Sequence, residues 1–112
     1  MKAVHLTRAL ILEREVRTPD GAGGFAEVWS EVGRLWAEIM TGSGGAASNE
    51  AVVTAGITFR ITVRAAGDGA ASRPKPGQRF RDGTRRFRIL AVTERDAAGH
   101  YLTCFATEEE PV

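Results

Sequence analysis

The sequence has few of the residues that usually build an active site. Its 112 residues include one cysteine and two histidines, and these are too few and too far apart to form a tetrahedral metal site. Cys104 cannot form a disulfide within the chain, and its apolar neighbours in YLTCFA predict a buried thiol. His5 and His100 are isolated, so we interpret them as solvated or hydrogen-bonded side chains. The sequence therefore predicts no enzyme, no metal and no cofactor.

The chain also lacks a strong charge of either sign. Lys and Arg total 15 against 14 Asp and Glu, which leaves a formal net charge of +1. This balance argues against a protein that coats nucleic acid or an anionic membrane through bulk charge. Any electrostatic function must therefore come from local clusters.

Long apolar runs are missing as well. No run approaches the ~20 apolar residues that span a bilayer, and the run near the N-terminus is broken by Glu13 and Arg14 without a small-residue cleavage site behind it. We therefore expect neither secretion nor a membrane partner, and a lone cysteine fits assembly in a reducing cytoplasm. We treat residues 1–112 as one domain, large enough to bury a core without a disulfide or metal.

Alternating apolar and polar residues predict β-strands in the first two thirds of the chain. The clearest alternation is GITFRITVR, in which apolar residues occupy every second position; they are Ile57, Phe59, Ile61 and Val63. A strand RALILEREV is predicted at 8–16 and closed by the turn TPDGAGG. The stretch GFAEVWSEVGRLWAEIM predicts two short extended pieces with a bend at Gly33.

Two hairpins are predicted in the last third. Asp82-Gly83 is a dipeptide that tolerates the backbone of a tight turn, so we expect it to join two strands within 78–93. The turn at 96–99 leads into the β-rich run HYLTCFAT, which makes a second hairpin sharing a strand with the first.

Two segments are weakly specified, 41–56 and 65–77, and we expect both to be flexible. The first could hold a short helix at 49–55 capped by Ser48, which would need a partner in order to be stable. Candidate assembly residues in this loop are Ser43, Asn49, Glu50 and Val53. The second segment carries Pro74 and Pro76 and predicts an extended surface loop.

The predicted fold class is therefore all-β. About five or six short strands with one short helical or loop insertion describe a small antiparallel β-barrel or sandwich. There is no alternation of strands and helices that would predict a nucleotide-binding parallel sheet.

The stretch RFRDGTRRFRIL at 79–90 concentrates five arginines around the first hairpin turn. With Asp82-Gly83 as its loop, Arg79 would face Arg86. Since side chains alternate between faces of a strand, one face should carry Phe80, Phe87, Ile89 and Ala91 with Arg85 as an outlier. The other face, which we call the arginine face, should carry Arg79, Arg81, Arg86 and Arg88.

Three interpretations of the arginine face remain open at this point. The arginines could lie solvated over apolar surface, bind phosphates, or bind carboxylates of a neighbouring copy. Phosphate binding is disfavoured because Trp29, the candidate base-stacking residue, shares its strand face with Glu27 and Glu31. Carboxylates fit better, because Arg forms bidentate pairs with them and is enriched at interfaces. Glu27 and Glu31 are the candidate partners, with Glu38 and the acidic run 108–110 as further acids.

Four stretches taken together resemble a known protein family. They are DGAGGFAEVWSEVGRLWAEI, ITFRITVR, PGQRFRDGTRRFRILAV and YLTCFATEE, and their order and spacing are similar to those of phage head-tail joining proteins. That family is also called head-tail adaptor, head-closure or stopper proteins. The Ala- and Arg-rich composition is most similar to the head-tail connector component of alphaproteobacterial gene transfer agents, which are phage-like particles that package host DNA.

The resemblance implies a small β-barrel with an inserted helix, assembled into a ring without catalytic activity. The implied ring holds on the order of six or twelve copies and lies at the head-tail interface of a virion or phage-like particle assembled in the host cytoplasm. Its implied partners are a portal or adaptor ring on the head side and a tail terminator on the tail side, with packaged DNA passing through the channel. Two alternatives stay open: a single-stranded nucleic-acid-binding barrel, and the adjacent adaptor or terminator ring of the same particle.

Overall fold

Six antiparallel strands close into a barrel in the computed structural model, which describes residues 3–41, 57–67 and 69–109. The strands are β1 (Arg8–Pro19), β2 (Phe25–Thr41), β3 (Thr58–Arg64), β4 (Arg79–Asp82), β5 (Arg85–Glu94) and β6 (Tyr101–Glu109). Their order around the sheet is β1-β2-β3-β6-β5-β4, and β4 pairs with β1 to close it. The all-β prediction is confirmed. No helix occurs in the described ranges, and the helix predicted at 49–55 lies outside them.

The barrel interior is filled by the apolar residues that the strand alternation predicts. Its buried members are Leu10, Leu12, Ala37, Ile61, Val63, Phe80, Phe87, Ile89, Leu102, Cys104 and Ala106. Phe59 packs against this core, whereas Ile57 precedes β3 and is exposed, contrary to the alternation. Burial raises the pKa of the Cys104 thiol to about 12, so the prediction of a buried structural thiol is confirmed.

The second strand is one continuous element, and the prediction of two pieces with a bend at Gly33 is wrong. In the pairing with β1, Leu12 lies opposite Gly33 while Glu13 lies opposite Glu31. Val32 is therefore an extra residue on β2, which makes a β-bulge instead of a break. The pairing of β1 with β2 continues on both sides of the bulge. A bulge of this kind bends the strand and increases its local twist.

The first two strands extend beyond the barrel as a hairpin that we call the arm, residues 14–19 and 25–30. β4 pairs with β1 only at 11–13, and β3 pairs with β2 only at 37–41, so the arm strands are paired with each other alone in the described part of the chain. The Asp20 carboxylate closes the connecting turn, because its Oδ1 accepts hydrogen bonds from the amides of Ala22 at 2.8 Å and Gly24 at 3.1 Å. The turn predicted in TPDGAGG is confirmed.

The hairpin of β4 and β5 has a different register from the predicted one. Asp82 pairs with Arg85, so Gly83-Thr84 and not Asp82-Gly83 forms the turn, with Gly83 at a φ of 64°. Arg79 consequently lies opposite Arg88 and not Arg86. The register error is two residues, and a two-residue shift leaves every side chain on its predicted face.

A second bulge lies in β5 at Leu90. Ile89 pairs with Ala106 and Ala91 pairs with Phe105, so Leu90 has no partner of its own. Beyond this bulge the faces exchange: Ala91 is exposed, and Val92 packs against the core. The prediction that Ala91 shares the core face is therefore wrong. The predicted turn at 96–99 and the second hairpin, formed by β5 and β6, are confirmed.

The segment 65–77 is not an extended loop, as its prolines had suggested. Backbone hydrogen bonds close turns from Ala70 to Gly67 at 3.0 Å and from Arg73 to Ala70 at 3.1 Å. The amide of Gly77 donates to the Ile89 carbonyl at 3.0 Å, and Pro74 is buried. The segment is thus attached to β5, and its flexibility stays a prediction.

Candidate assembly site

The arginine face lies on the side of the β4–β5 hairpin opposite the core. Phe80 and Phe87 face the interior, and the neighbouring arginines face outwards, as strand alternation requires. The register puts like charges directly opposite each other, with Arg79 across from Arg88 and Arg81 across from Arg86. Such pairs are destabilising by themselves, so the hairpin needs anions nearby.

Glu13 of β1 supplies the first anion. Its carboxylate accepts a hydrogen bond from Arg79 Nε at 2.7 Å and another from Arg81 Nε at 2.9 Å. Glu13 is only 6% exposed. Burial alone would raise the pKa of this carboxyl, but the hydrogen bonds and charges of the two arginines outweigh burial, and the net pKa is lowered. Glu13 is therefore held as a carboxylate.

Glu109 at the end of β6 supplies the second anion. It accepts from Arg79 Nη1 at 3.4 Å and from Arg88 Nη1 at 3.2 Å. Arg79 is thus shared by two carboxylates, and its side chain is only 13% exposed. The ion pairs join β1, β4, β5 and β6 on the outside of the barrel.

Trp29 of the arm completes the cluster. Its ring centroid lies 4.1 Å from the guanidinium carbon of Arg79 and 5.2 Å from that of Arg88. Both distances are within the range of cation–π attraction. The base of the arm therefore rests on the arginine face, and the tryptophan is engaged by the chain itself.

Arg86 differs from the other three arginines. Its Nε is buried and has no hydrogen-bond partner in the described part of the chain. In the sheet it lies opposite Arg81 on one side and Glu109 on the other. The arginine face thus carries more positive charge than Glu13 and Glu109 neutralise.

The outlier Arg85 is also paired. It donates to both oxygens of Glu108, at 2.9 and 3.0 Å, and its guanidinium carbon lies 4.9 Å from the Phe87 ring centroid. The hydrogen bond to Glu108 raises the pKa of Arg85 and lowers that of Glu108. Arg85 therefore covers the edge of the core as part of an ion pair.

The predicted acidic candidates lie elsewhere. Glu27 is exposed on the arm beside Glu15, and a hydrogen bond between these carboxyls raises the pKa of Glu15. Glu31 is exposed and forms an ion pair with Arg34 at 3.6 Å. Within the described residues, neither forms an ion pair with an arginine of the arginine face. The loop candidates Ser43, Asn49, Glu50 and Val53 lie outside the described residues.

Sequence reasoning missed Glu13, and it named Glu109 only as one of the further acids in the run 108–110. It named the four arginines but assigned their carboxylates to a neighbouring copy, whereas the structure provides Glu13 and Glu109 from the same chain. A usable signal was present for Glu13, because a lone carboxylate next to the apolar run at 9–12 needs a buried cation. The role of the four arginines at a subunit interface stays a prediction.

The cluster can fix geometry, but it has no group suited to catalysis. Its cations are arginines, which remain protonated, and its two carboxylates are already neutralised by them. Within residues 3–41, 57–67 and 69–109, no group of His, Cys, Asp and Glu could hold a metal ion. No helix able to cross a membrane occurs among these residues either. A small barrel with a projecting arm and an ion-paired outer face is typical of a structural assembly protein.

Comparison with known proteins agrees with this class. The family model described as phage head completion protein matches residues 1–109. A chain in the solved virion of a native gene transfer agent particle is 55% identical, with 96% of this chain and 98% of that chain covered and a TM-score of 0.76. A Shigella flexneri 2a protein solved in solution shares the fold at 21% identity, with both chains fully covered (100% each) and a TM-score of 0.70. No curated protein sequence matches the chain.

The chain belongs to the phage head completion protein family. It is a structural component of a phage-like particle with a role in head completion. The family resemblance inferred from the four sequence stretches is thereby confirmed.

Proposed function

We propose that this chain closes the DNA-filled head of a gene-transfer-agent-like particle by forming a ring at the head-tail junction, to which the tail docks. The observation that carries the proposal is the 55% identity, over nearly the whole of both chains, with a protein in a gene transfer agent virion. At this identity the two chains share the fold, so a common place in the particle is the simplest explanation.

The geometry supports a role in binding and not in catalysis. The ion pairs of Glu13 and Glu109 stiffen the outer face of the barrel, and the arm extends from it with both of its faces largely exposed. A stiff body with a projecting hairpin suits an element of a symmetric assembly, in which every contact is repeated by the symmetry. The proposed contacts are a portal or adaptor ring on the head side and a tail terminator on the tail side, with DNA passing through the channel.

The candidate contact residues are those whose side chains stay partly exposed in a single chain. Arg81 and Arg88 keep 34% and 41% of their side chains exposed despite their ion pairs, so they remain available to a neighbouring subunit. Glu27 and Glu31 are exposed on β2, Glu27 in the arm and Glu31 directly after it. Copies numbering on the order of six or twelve would repeat these contacts around the ring.

A deletion in a particle-producing strain tests the proposed function. Without this chain we expect DNA-filled heads and free tails as separate objects in negative-stain electron microscopy. Supplying the protein in trans should restore joined particles. Normal numbers of joined, infective particles in the deletion strain would contradict the proposal, as would the absence of filled heads, which would place the chain earlier in assembly.

A further inference from the structure

The outer end of the arm exposes apolar surface that the chain itself leaves uncovered. Phe25 is 59% exposed, and among the described residues the Arg17 guanidinium lies over its ring, at 5.0 Å. Val28, on the opposite face of the same strand, is 49% exposed. A two-stranded hairpin without further packing is marginally stable in water. The arm end therefore has the character of a surface that becomes buried on assembly.

A shallow groove elsewhere on the barrel has matching chemistry. It is lined by Leu6, Trp36 and Arg64, and Trp36 is 61% exposed. Arg64 lies over the ring of Tyr101 at 5.6 Å, and no carboxylate in the described part of the chain pairs with it. The groove thus offers an apolar floor with one cation, Arg64, that has no anionic partner among the described residues.

The arm end carries the complementary charge. Glu15 and Glu27 lie side by side on the same face as Phe25, because Arg17 pairs with Glu27 and Glu15 pairs with Trp29 in the β1–β2 register. The hydrogen bond with Glu27 raises the pKa of Glu15, and the charges of Arg88 and Arg17 offset this only in part. The β1–β2 register makes the two glutamates diagonal neighbours, with Arg17 beside them. A cation brought to this face would relieve their repulsion.

The arm end and the groove of one chain cannot meet. Phe25 and Trp36 lie on the same strand, eleven residues apart, which corresponds to about 36 Å at ~3.3 Å per residue. Two complementary patches at opposite ends of one strand can contact each other only between two molecules. A contact between two different patches is heterologous, and it continues from copy to copy until the rotation closes a ring.

We propose that the arm of one copy docks its Phe25 end into the Leu6–Trp36–Arg64 groove of the next copy, head to tail around the ring. Phe25 packs on Trp36, and Glu15 and Glu27 face Arg64. This inference rests on the proposed ring function and adds to it the surfaces that hold neighbouring copies together.

Thiol crosslinking in assembled particles tests the contact directly. We would use a chain with Pro19→Cys and Ala9→Cys, because these exposed residues pair with Phe25 and Trp36 and leave both in place. The two thiols of one chain lie ten residues apart along β1, so a short bis-maleimide cannot join them. The native Cys104 is buried, and the controls are the two chains that carry only one of the introduced cysteines.

Head-to-tail docking predicts a ladder of dimers, trimers and larger chains on a denaturing gel, from the double variant only. The longest rung then gives the copy number of the ring. Dimers alone would indicate reciprocal exchange of arms between two copies and would overturn the proposal. Joined particles without crosslinks would also overturn it while leaving the ring function intact, and that function is tested separately by the deletion.

A second pair of variants keeps the test independent of crosslinker reach. Phe25→Glu and Trp36→Glu should each reduce the yield of joined particles roughly tenfold or more, since each removes a buried aromatic contact in every repeat. Leu90→Glu is the matched control, because Leu90 is an equally exposed apolar residue on β5, at 54%. All three purified chains should stay folded by circular dichroism. Equal yields from all three variants would contradict the proposed contact.

Discussion

Trp29 stacks on Arg79, with its ring centroid 4.1 Å from the guanidinium carbon, and this contact connects the arm to the barrel. Arg79 is held from its other sides by Glu13 and Glu109. The direction in which the arm projects is therefore set by an arginine that is itself fixed by two carboxylates. The first predictions test this relationship.

Replacing Trp29 should cost stability, whereas replacing Trp36 should not. Trp29→Ala removes two cation–π contacts and the packing beneath them, so we expect the free energy of unfolding to fall by about 1–3 kcal/mol. Trp36 is 61% exposed, so Trp36→Ala should change the free energy of unfolding by less than about 0.5 kcal/mol. Urea denaturation followed by circular dichroism measures both. Equal losses in the two variants would show that Trp29 has no special role.

Neutralising Glu13 should be strongly destabilising. Glu13→Gln leaves the largely buried Arg79 with Glu109, at 3.4 Å, as its remaining carboxylate, so we expect a loss of about 2–4 kcal/mol. The control is Glu31→Gln, which breaks an exposed pair and should cost less than about 0.5 kcal/mol. Thermal unfolding at pH 7 gives the comparison, and a loss for Glu13→Gln no larger than the control's would refute the assignment of Glu13 as the central anion.

Glu13 and Glu15 of β1 should make opposite contributions to the pH dependence of stability. The folded-state pKa of Glu13 is lowered from 4.5, so its contribution to stability is complete above that value and is lost as the pH falls through the folded pKa. The pKa of Glu15 is raised by Glu27, so ionised Glu15 destabilises the fold near neutral pH and protonation relieves this.

Glu15→Gln should accordingly raise the melting temperature at pH 7, and the gain should shrink as the pH falls below about 5. Glu13→Gln should lower the melting temperature most at pH 7 and progressively less under acid. Melting curves from pH 3 to 7 (roughly the range over which carboxyls titrate) measure both. A change in melting temperature of the same sign in both variants would contradict the opposite environments of Glu13 and Glu15.

The Cys104 thiol should be unreactive in the folded protein. It is fully buried, and its pKa is raised to about 12, so almost no thiolate exists at pH 8. A chromogenic disulfide reagent should label it at least about a hundredfold more slowly in buffer than in denaturing urea. Rapid labelling of the native chain would mean that the barrel opens around β6.

DNA binding separates the interface role of the arginine face from a nucleic-acid role. Since Glu13 and Glu109 neutralise much of this face, we expect no micromolar binding of labelled single- or double-stranded DNA by the free protein. Arg81→Glu would place a second carboxylate against buried Glu13, so Arg81→Gln is the better variant. Tight binding that weakens steeply with salt and is lost in Arg81→Gln would favour the nucleic-acid-binding alternative.

The strands and the faces of their side chains could be predicted because alternation is a local property. The arginine face was assigned correctly even though the hairpin register was wrong, because a two-residue shift preserves the faces. The bulges at Val32 and Leu90 could not be predicted, since an extra residue in a strand is defined by its partner strand and not by its own sequence. Ala91 was misassigned for this reason.

The carboxylate partners of the arginines were beyond local reasoning as well. Glu13 precedes Arg79 by 66 residues, and only the closure of β4 onto β1 brings them together. Glu109 reaches the same arginine through β6. Sequence patterns show which residues need a partner, and the topology of the closed sheet decides where each partner comes from.

The seam between β1 and β4 has a mechanical consequence. Only three residue pairs, from Ile11 with Arg81 to Glu13 with Arg79, join these strands, whereas β1 and β2 share twelve. Local opening begins where the fewest hydrogen bonds must break, so this seam is the natural point of failure under load. Glu13 of β1 accepts hydrogen bonds from Arg79 and Arg81 of β4 across this seam. These bonds reinforce the short ladder. Glu13 therefore strengthens the barrel at the seam where opening would otherwise begin.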